Sequence, residues 1–284
     1  MIFDAEFRRR LEVLKRIVSR ALAGRGGAGR SAVRERGGRV EFAGHRVYAS
    51  GDDVRAVDWN AYARLEALVV KEFEAPREGH LLLVLDRSGS MGCFGKDETA
   101  LRMAAALGWL GLASGARVAC VSRAAASPWI TAQARFPELL EALEQLPSGG
   151  VADLPAAVQR ARAPGSGPRT AMVFSDLYET APAARALAAL RRKSRRVQCV
   201  QVLAREELTP PPASALVLRD AETDASARVR LDSRIRARFR ERVDAFLEER
   251  RSLVSRHGAR LCRVLVGEDL IAAVERVILE DGRK

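Results

Sequence analysis

The chain has 284 residues, enough for one large domain or two modest ones, and 48% of them are apolar, so a sizeable core is available. Its formal charge of +12 comes from 48 basic and 36 acidic residues, yet 43 of the basic residues are Arg and only 5 are Lys, a skew that GC-rich coding produces without selection for polyanions. No apolar run reaches the ~18 residues of a membrane-spanning helix, and four scattered cysteines without a CxxC pair argue against a disulfide framework or a zinc site.

Phe3, Phe7, Leu11, Leu14, Val18 and Leu22 fall three or four apart, the spacing of one face of an amphipathic helix. Charges in MIFDAEFRRRLEVLKR stand where a signal peptide carries its apolar stretch. The expected location is therefore the cytoplasm, with Cys93, Cys120, Cys199 and Cys262 reduced. GRGGAGR ends the helix. Gly24, Gly26 and Gly29 match GxGxxG in form, but a dinucleotide fingerprint follows a strand and opens a helix, so this stretch reads as a connector.

Residues 39–79 hold short extended pieces at RVEFAGHRVY and ALVVKEFE. Between them lies GDDVRAVDWNAYARLE, whose Asp52, Asp53, Arg55, Asp58 and Arg64 suggest an internal ion-pair network. Its GDDVRAVDW segment reads either as such a network or as a partner surface. Trp59, Trp109 and Trp129 read as packing residues.

From residue 80 the pattern becomes regular. HLLLVLD is a continuous apolar run, as a strand buried on both faces requires. Helices are expected at about 98–115, 136–146, 154–162 and 181–193, and strands at ARVACVSR, TAMVFSD and RVQCVQVLA, with a shorter extended piece at PWIT. A segment at about 208–231 interrupts the rhythm with LTPPPAS and two small strands, ALVLRD and ARVRLD. Asp232 or Ser233 can then cap a long helix with Ile235, Phe239, Val243, Phe246 and Leu253 on its apolar face. RLCRVLV and DLIAAVERVIL supply a last strand and helix. The alternation predicts an α/β fold with a mostly parallel, doubly wound sheet, a small N-terminal region and a small β insertion. The expected division is 1–79 and 80–284.

In such a sheet, ligands bind beyond the carboxyl ends of the strands. LVLDRSGSMG presents Asp86, Ser88 and Ser90 on the turn leaving the first core strand, and MVFSDLYE presents Ser175 and Asp176. Two carboxylates and two hydroxyls form a hard, oxygen-only set suited to Mg²⁺ or Mn²⁺. A site with so few charges would retain an open position, which suits a carboxylate offered by another protein.

DRSGS matches the DxSxS metal-ion-dependent adhesion site of von Willebrand factor type A domains. With EFAGHRVY, GDDVRAVDWNAYARLE, VKEFE and LDRSGSM in this order, residues 30–280 resemble the bacterial domain of unknown function 58 family. The resemblance implies an α/β type A domain behind a small N-terminal region. It also implies a role beside MoxR-type AAA+ ATPases in protein maturation or assembly. Many relatives carry N-terminal membrane helices, which this sequence does not show.

The family's second metal loop usually reads GGTDL, with the Thr hydroxyl as a ligand. Here it reads GGVADL, with Ala152 in the Thr position and Asp153 retained. Alanine cannot coordinate a cation, so metal affinity should fall unless Asp153 supplies an oxygen. The expected metal ligands are Asp86, Ser88, Ser90 and Asp176, with Asp153 as the substitute.

Two other function classes have some support. Ser90, Asp176 and His257 follow the Ser…Asp…His order of α/β hydrolases, but the nucleophile elbow needs Gly where Ser88 stands, and His257 precedes the last core strand. RRKSRR at 191–196 and the arginines of 234–242 raise nucleic-acid binding. The former lies at a helix end, and Glu241, Asp244, Glu248 and Glu249 offset the latter. Aromatics are not interleaved with either run, so stacking platforms are missing. No Walker GK[ST] occurs, since Gly95-Lys96 is followed by Asp97. The expectation is a non-enzymatic interaction factor that binds no nucleic acid and meets an AAA+ ATPase or its client through an acidic residue.

Overall fold

A computed structural model describes residues 2–24, 41–47, 69–74, 79–161, 170–219 and 225–280. The chain divides into a unit of Gly26–Glu78 and a larger unit of Met1–Arg25 with Gly79–Lys284. In the smaller unit, β1 (Glu41–Val47) and β2 (Val69–Glu74) pair antiparallel, with Phe42 opposite Phe73 and a bulge between Phe42 and Gly44. These are the two extended pieces expected from the sequence. GDDVRAVDW, Trp59 and Gly26–Gly29 lie outside the described residues.

The larger unit is built on five parallel strands: β3 (His80–Leu85), β4 (Arg117–Val121), β5 (Thr170–Ser175), β6 (Arg196–Leu203) and β9 (Arg260–Leu265), in the order β4-β3-β5-β6-β9. The sheet is thus α/β and parallel, as the buried apolar runs predict. PWIT contributes an antiparallel bridge from Ile130 to Val118 on the β4 edge.

Side chains alternate across the sheet because a strand has a period of two. Leu81, Leu83 and Leu85 join a core with Val118, Cys120, Phe174 and Val202. That core is covered by α1 (Ala5–Gly24), α2 (Lys96–Ala113), α3 (Phe136–Glu144) and α7 (Leu270–Glu280). Leu82, Val84, Val173 and Cys199 face the other way, against α4 (Leu154–Arg160), α5 (Thr180–Lys193) and α6 (Ser233–Arg256). α2 lies close over the sheet: a Cβ at Gly108 would fall 2.5 Å from Leu139 Cδ2 and 3.3 Å from Leu83 Cδ1.

α1 buries Phe7, Leu11 and Leu14 in this core, with Phe3 just ahead of the helix buried beside them, while Val18 and Leu22 lie outside the described side chains. Arg102 Nε of α2 donates to Ile2 O at 3.1 Å. A division at 79/80 would separate α1 from the body it packs on. An amphipathic pattern says that a helix buries a face but not against which partner.

The interruption at 208–231 contains β7 (Ala215–Arg219) and β8 (Ser226–Arg230), paired antiparallel with Ala215 opposite Arg230. Asp232 Oδ1 accepts the Ile235 N–H at 2.7 Å and caps α6. Along α6 only Arg250, Leu253 and Val254 are buried; Ile235, Phe239, Val243 and Phe246 are half-buried. No helix among the described residues is long and apolar enough to cross a membrane.

Candidate functional site

The chain leaves β3, runs to β4 on one side, and later returns to β5 on the other side of β3. The carboxyl ends of β3 and β5 therefore flank the point where strand order reverses, the place where open α/β sheets hold ligands. Asp86 continues β3 by donating its N–H to Phe174 O at 2.9 Å, and Asp176 follows β5 directly.

Asp86 is buried and held by its neighbours. Ser175 Oγ donates to Asp86 Oδ2 at 2.6 Å, and the Ser88 N–H donates to Asp86 Oδ1 at 3.1 Å. Ser88 Oγ and Ser90 Oγ are 3.1 Å apart. Burial pushes the Asp86 carboxyl above its usual range; hydrogen bonds from Ser175 and Ser88 oppose the shift, and the nearby Asp176 charge adds to it. Among the described residues no Lys or Arg nitrogen forms an ion pair with Asp86: its neighbour Arg87 pairs instead with Asp97 at 3.2 Å.

The second loop also reaches this point. Gly89 N donates to Gly150 O at 2.8 Å and Gly149 N to Arg87 O at 2.7 Å, so GGVADL lies against DRSGS. Asp153 Oδ1 accepts the Ala156 N–H at 3.0 Å and caps α4, and the side chain is exposed. Asp153 followed closely by Pro155 is itself an N-cap signature that the sequence carries. A depression of about 30 Å³ remains here, lined by Asp86, Ser88, Gly149, Val151 and Asp153 among others. That is room for one ion or water and too little for an organic substrate.

Asp176 has a partner that sequence reasoning did not single out. Lys96, at the first turn of α2, is fully buried; its Nζ donates to Asp176 Oδ2 at 2.9 Å and also to Glu207 Oε1. Glu207 Oε2 in turn accepts the Ala204 N–H at 2.8 Å, at the turn after β6. The ammonium also lies 4.8 Å from the Tyr178 ring centroid. Burial alone would lower the Lys96 pKa, but the Asp176 and Glu207 charges outweigh it and hold the group above its ordinary value. A lone Lys at the start of an apolar helix, in a chain with 43 Arg, is a signal the sequence offers.

Leu177 adopts a left-handed φ of 60°, and its N–H donates to Ser175 Oγ at 2.9 Å. Phe94, after the DRSGS turn, has φ 57° and is 57% exposed. Left-handed backbone at large non-glycine residues is uncommon and costs energy. With Val151 and Tyr178, Phe94 belongs to the five exposed large apolar side chains of the described residues, so three of the five sit on the three loops around Asp86.

The hydrolase constellation does not assemble. His257 ends α6, with Nδ1 at 2.9 Å from Leu253 O, ahead of the amino end of β9. Ser90 and Asp176 stand at the opposite, carboxyl end, about 20 Å away by the rise of a six-residue strand.

A Mg²⁺ or Mn²⁺ is implied by the resemblance to type A domains, and the residues present can be tested against it. Among the described residues no group of three or more His, Cys, Asp or Glu side chains is arranged to hold a metal. The donor set is instead one buried carboxylate without a cationic partner and two hydroxyls in contact, which fits a hard cation. Asp86, Ser88 and Ser90 fit; Asp176 is shared with Lys96, Asp153 is turned to its helix, and Ala152 has no donor.

Residues 44–249 match the family model described as protein of unknown function DUF58. The chain is 28% identical over 249 residues to uncharacterized protein Rv1480 of Mycobacterium tuberculosis and, equally, to uncharacterized protein Mb1516 of Mycobacterium bovis; the match covers 84% of this chain and 78% of each relative. Among solved structures it is similar to an aerotolerance-related membrane protein from Bacteroides fragilis, at 15% identity and a TM-score of 0.44. It is also similar to the conserved hypothetical protein BatB from Bacteroides thetaiotaomicron, at 16% and 0.43. Each structural match covers 72% of this chain and all of the other.

Proposed function

The chain belongs to the family of protein of unknown function DUF58, and on that premise we propose that it is a non-enzymatic interaction factor of the von Willebrand factor type A kind. Its working surface is the edge formed by the loops after β3 and β5 and by GGVADL. One observation carries this reading: a buried carboxylate, Asp86, stands beside two hydroxyls without a cationic partner among the described residues, and the three loops of this edge carry exposed Phe94, Val151 and Tyr178. Exposed apolar side chains gathered at one place mark surfaces that meet other proteins. The 30 Å³ depression beside Asp86, Ser88 and Val151 favours ion and side-chain recognition over turnover of a substrate.

Asp86, Ser88 and Ser90 would hold Mg²⁺ or Mn²⁺, with Asp176 acting through water. When bound, the ion supplies an open coordination position for a partner's carboxylate. Ser175 orients Asp86 by its hydrogen bond, and Lys96 holds one oxygen of Asp176. The resemblance supplies the partner class, a MoxR-type AAA+ ATPase or its client, and no ATP chemistry is assigned to this chain.

The test is capture from the native host with the full chain as bait, in Mg²⁺ and in EDTA, beside an Asp86→Ala bait. The reading expects an AAA+ ATPase that is retained in Mg²⁺ and lost in EDTA and with Asp86→Ala. Recovery of no AAA+ ATPase under any condition removes the partner half of the reading.

A further inference from the structure

We propose that Lys96 is a resident counter-ion that competes with a divalent cation for Asp176, so that the chain limits the affinity of its own metal site. The inference rests on the reading of Asp86, Ser88 and Ser90 as the centre of that site. The two strand-end carboxylates are balanced unequally. Asp86 has hydrogen-bond donors but no cation among the described residues, whereas Asp176 Oδ2 is held at 2.9 Å by a fully buried ammonium.

Lys96 is an improbable residue for structure alone at its position. It occupies the first position of α2, where the helix dipole opposes a cation. It is drawn inside between carboxylates from two different loops, Asp176 after β5 and Glu207 after β6. A compact ammonium fits such a point between two acids, where a forked guanidinium would demand more room. Its positive charge repels an incoming divalent ion and occupies one oxygen of the carboxylate that would complete the ion's surroundings. Glu207 works in the opposite sense, since it shares the ammonium and relieves part of its hold on Asp176.

Opposite changes in affinity follow from the two charges. Lys96→Met keeps a stem of similar length and removes the charge, so the site should bind Mn²⁺ more tightly, by at least about tenfold. Glu207→Gln leaves the whole ammonium to Asp176, so Mn²⁺ should bind more weakly, by about threefold or more. A purely structural staple would lower stability in both variants without moving affinity in opposite directions.

The experiment is Mn²⁺ titration of the full chain, followed by calorimetry and by the electron paramagnetic resonance signal of free Mn²⁺. Wild type, Lys96→Met and Glu207→Gln are compared, with thermal unfolding recorded for each. Tighter binding by Lys96→Met and weaker binding by Glu207→Gln are expected; Mn²⁺ bound by Lys96→Met but not by wild type supports the inference equally. Unchanged affinity in Lys96→Met beside a wild type that binds overturns the inference and leaves the metal reading standing. Binding by none of the three overturns both. Where Lys96→Met does not fold, Glu207→Gln decides alone: weaker binding supports the competition, and affinity equal to wild type overturns it.

Discussion

Lys96 Nζ lies 2.9 Å from Asp176 Oδ2 across 80 positions of sequence, with both side chains buried. The contact joins the start of α2 to the end of β5, and Glu207 extends it to the turn after β6. Removing the ammonium leaves two acids facing each other in the interior. Lys96→Ala should therefore cost about 3–5 kcal/mol, because a broken buried pair leaves an uncompensated charge. Urea unfolding followed by circular dichroism measures it; a loss below ~1 kcal/mol would mean that the pair is solvated in solution.

Stability should also respond to pH through Glu268 and Arg276. Hydrogen bonds from Arg276 hold the Glu268 carboxyl below its ordinary value of 4.5, burial opposing them. A depressed carboxylate stabilises the fold above its unfolded value, and that contribution is lost as pH falls from about 4.5 through the lower folded value. Both side chains are partly exposed, so Glu268→Gln should cost only about 0.5–1 kcal/mol at pH 7. The difference from wild type should vanish when unfolding is repeated below the folded value.

Gly108 is a packing position. A Cβ there would fall 2.5 Å from Leu139 Cδ2, and Leu139 is itself fully buried and has nowhere to retreat. Gly108→Val should lower stability by about 1–3 kcal/mol by lifting α2 from the sheet. Denaturant midpoints check this, with an exposed helical position such as Arg185→Val as the control.

The thiols should divide by burial. Cys120 is pushed up to about 11 and Cys199 to about 12, both by burial. Cys262 is buried as well, and Cys93 is half-exposed. A thiol reagent at pH 8 should modify Cys93 quickly and the other three only on unfolding. Mass spectrometry of the labelled peptides reads the order.

The parallel sheet is legible in the sequence because HLLLVL is apolar on successive positions, as a strand covered on both faces requires, and RVQCVQVL is mostly apolar with only two glutamines inside the run. The Asp232 cap is legible for the same local reason. DRSGS identifies Asp86, Ser88 and Ser90, whose placement depends on one turn. Lys96, Asp176 and Glu207 are different, since 80 and 111 residues separate the partners and only the crossover brings them together. Asp153 is legible locally as well, since Asp-Leu-Pro describes the helix cap that its Oδ1 makes. The docking of α1 on α2 and α7 is likewise a tertiary fact that its own periodicity cannot carry.

A divalent-cation interaction site at Asp86, Ser88 and Ser90 predicts saturable metal binding that depends on the Asp86 carboxylate. Mn²⁺ titration of wild type against Asp86→Asn tests it most directly, because the amide keeps the shape, removes the charge and exchanges one acceptor oxygen for a donor nitrogen. Saturable binding by wild type that is lost in a folded Asp86→Asn is the predicted result. Equal binding by the two proteins would contradict it.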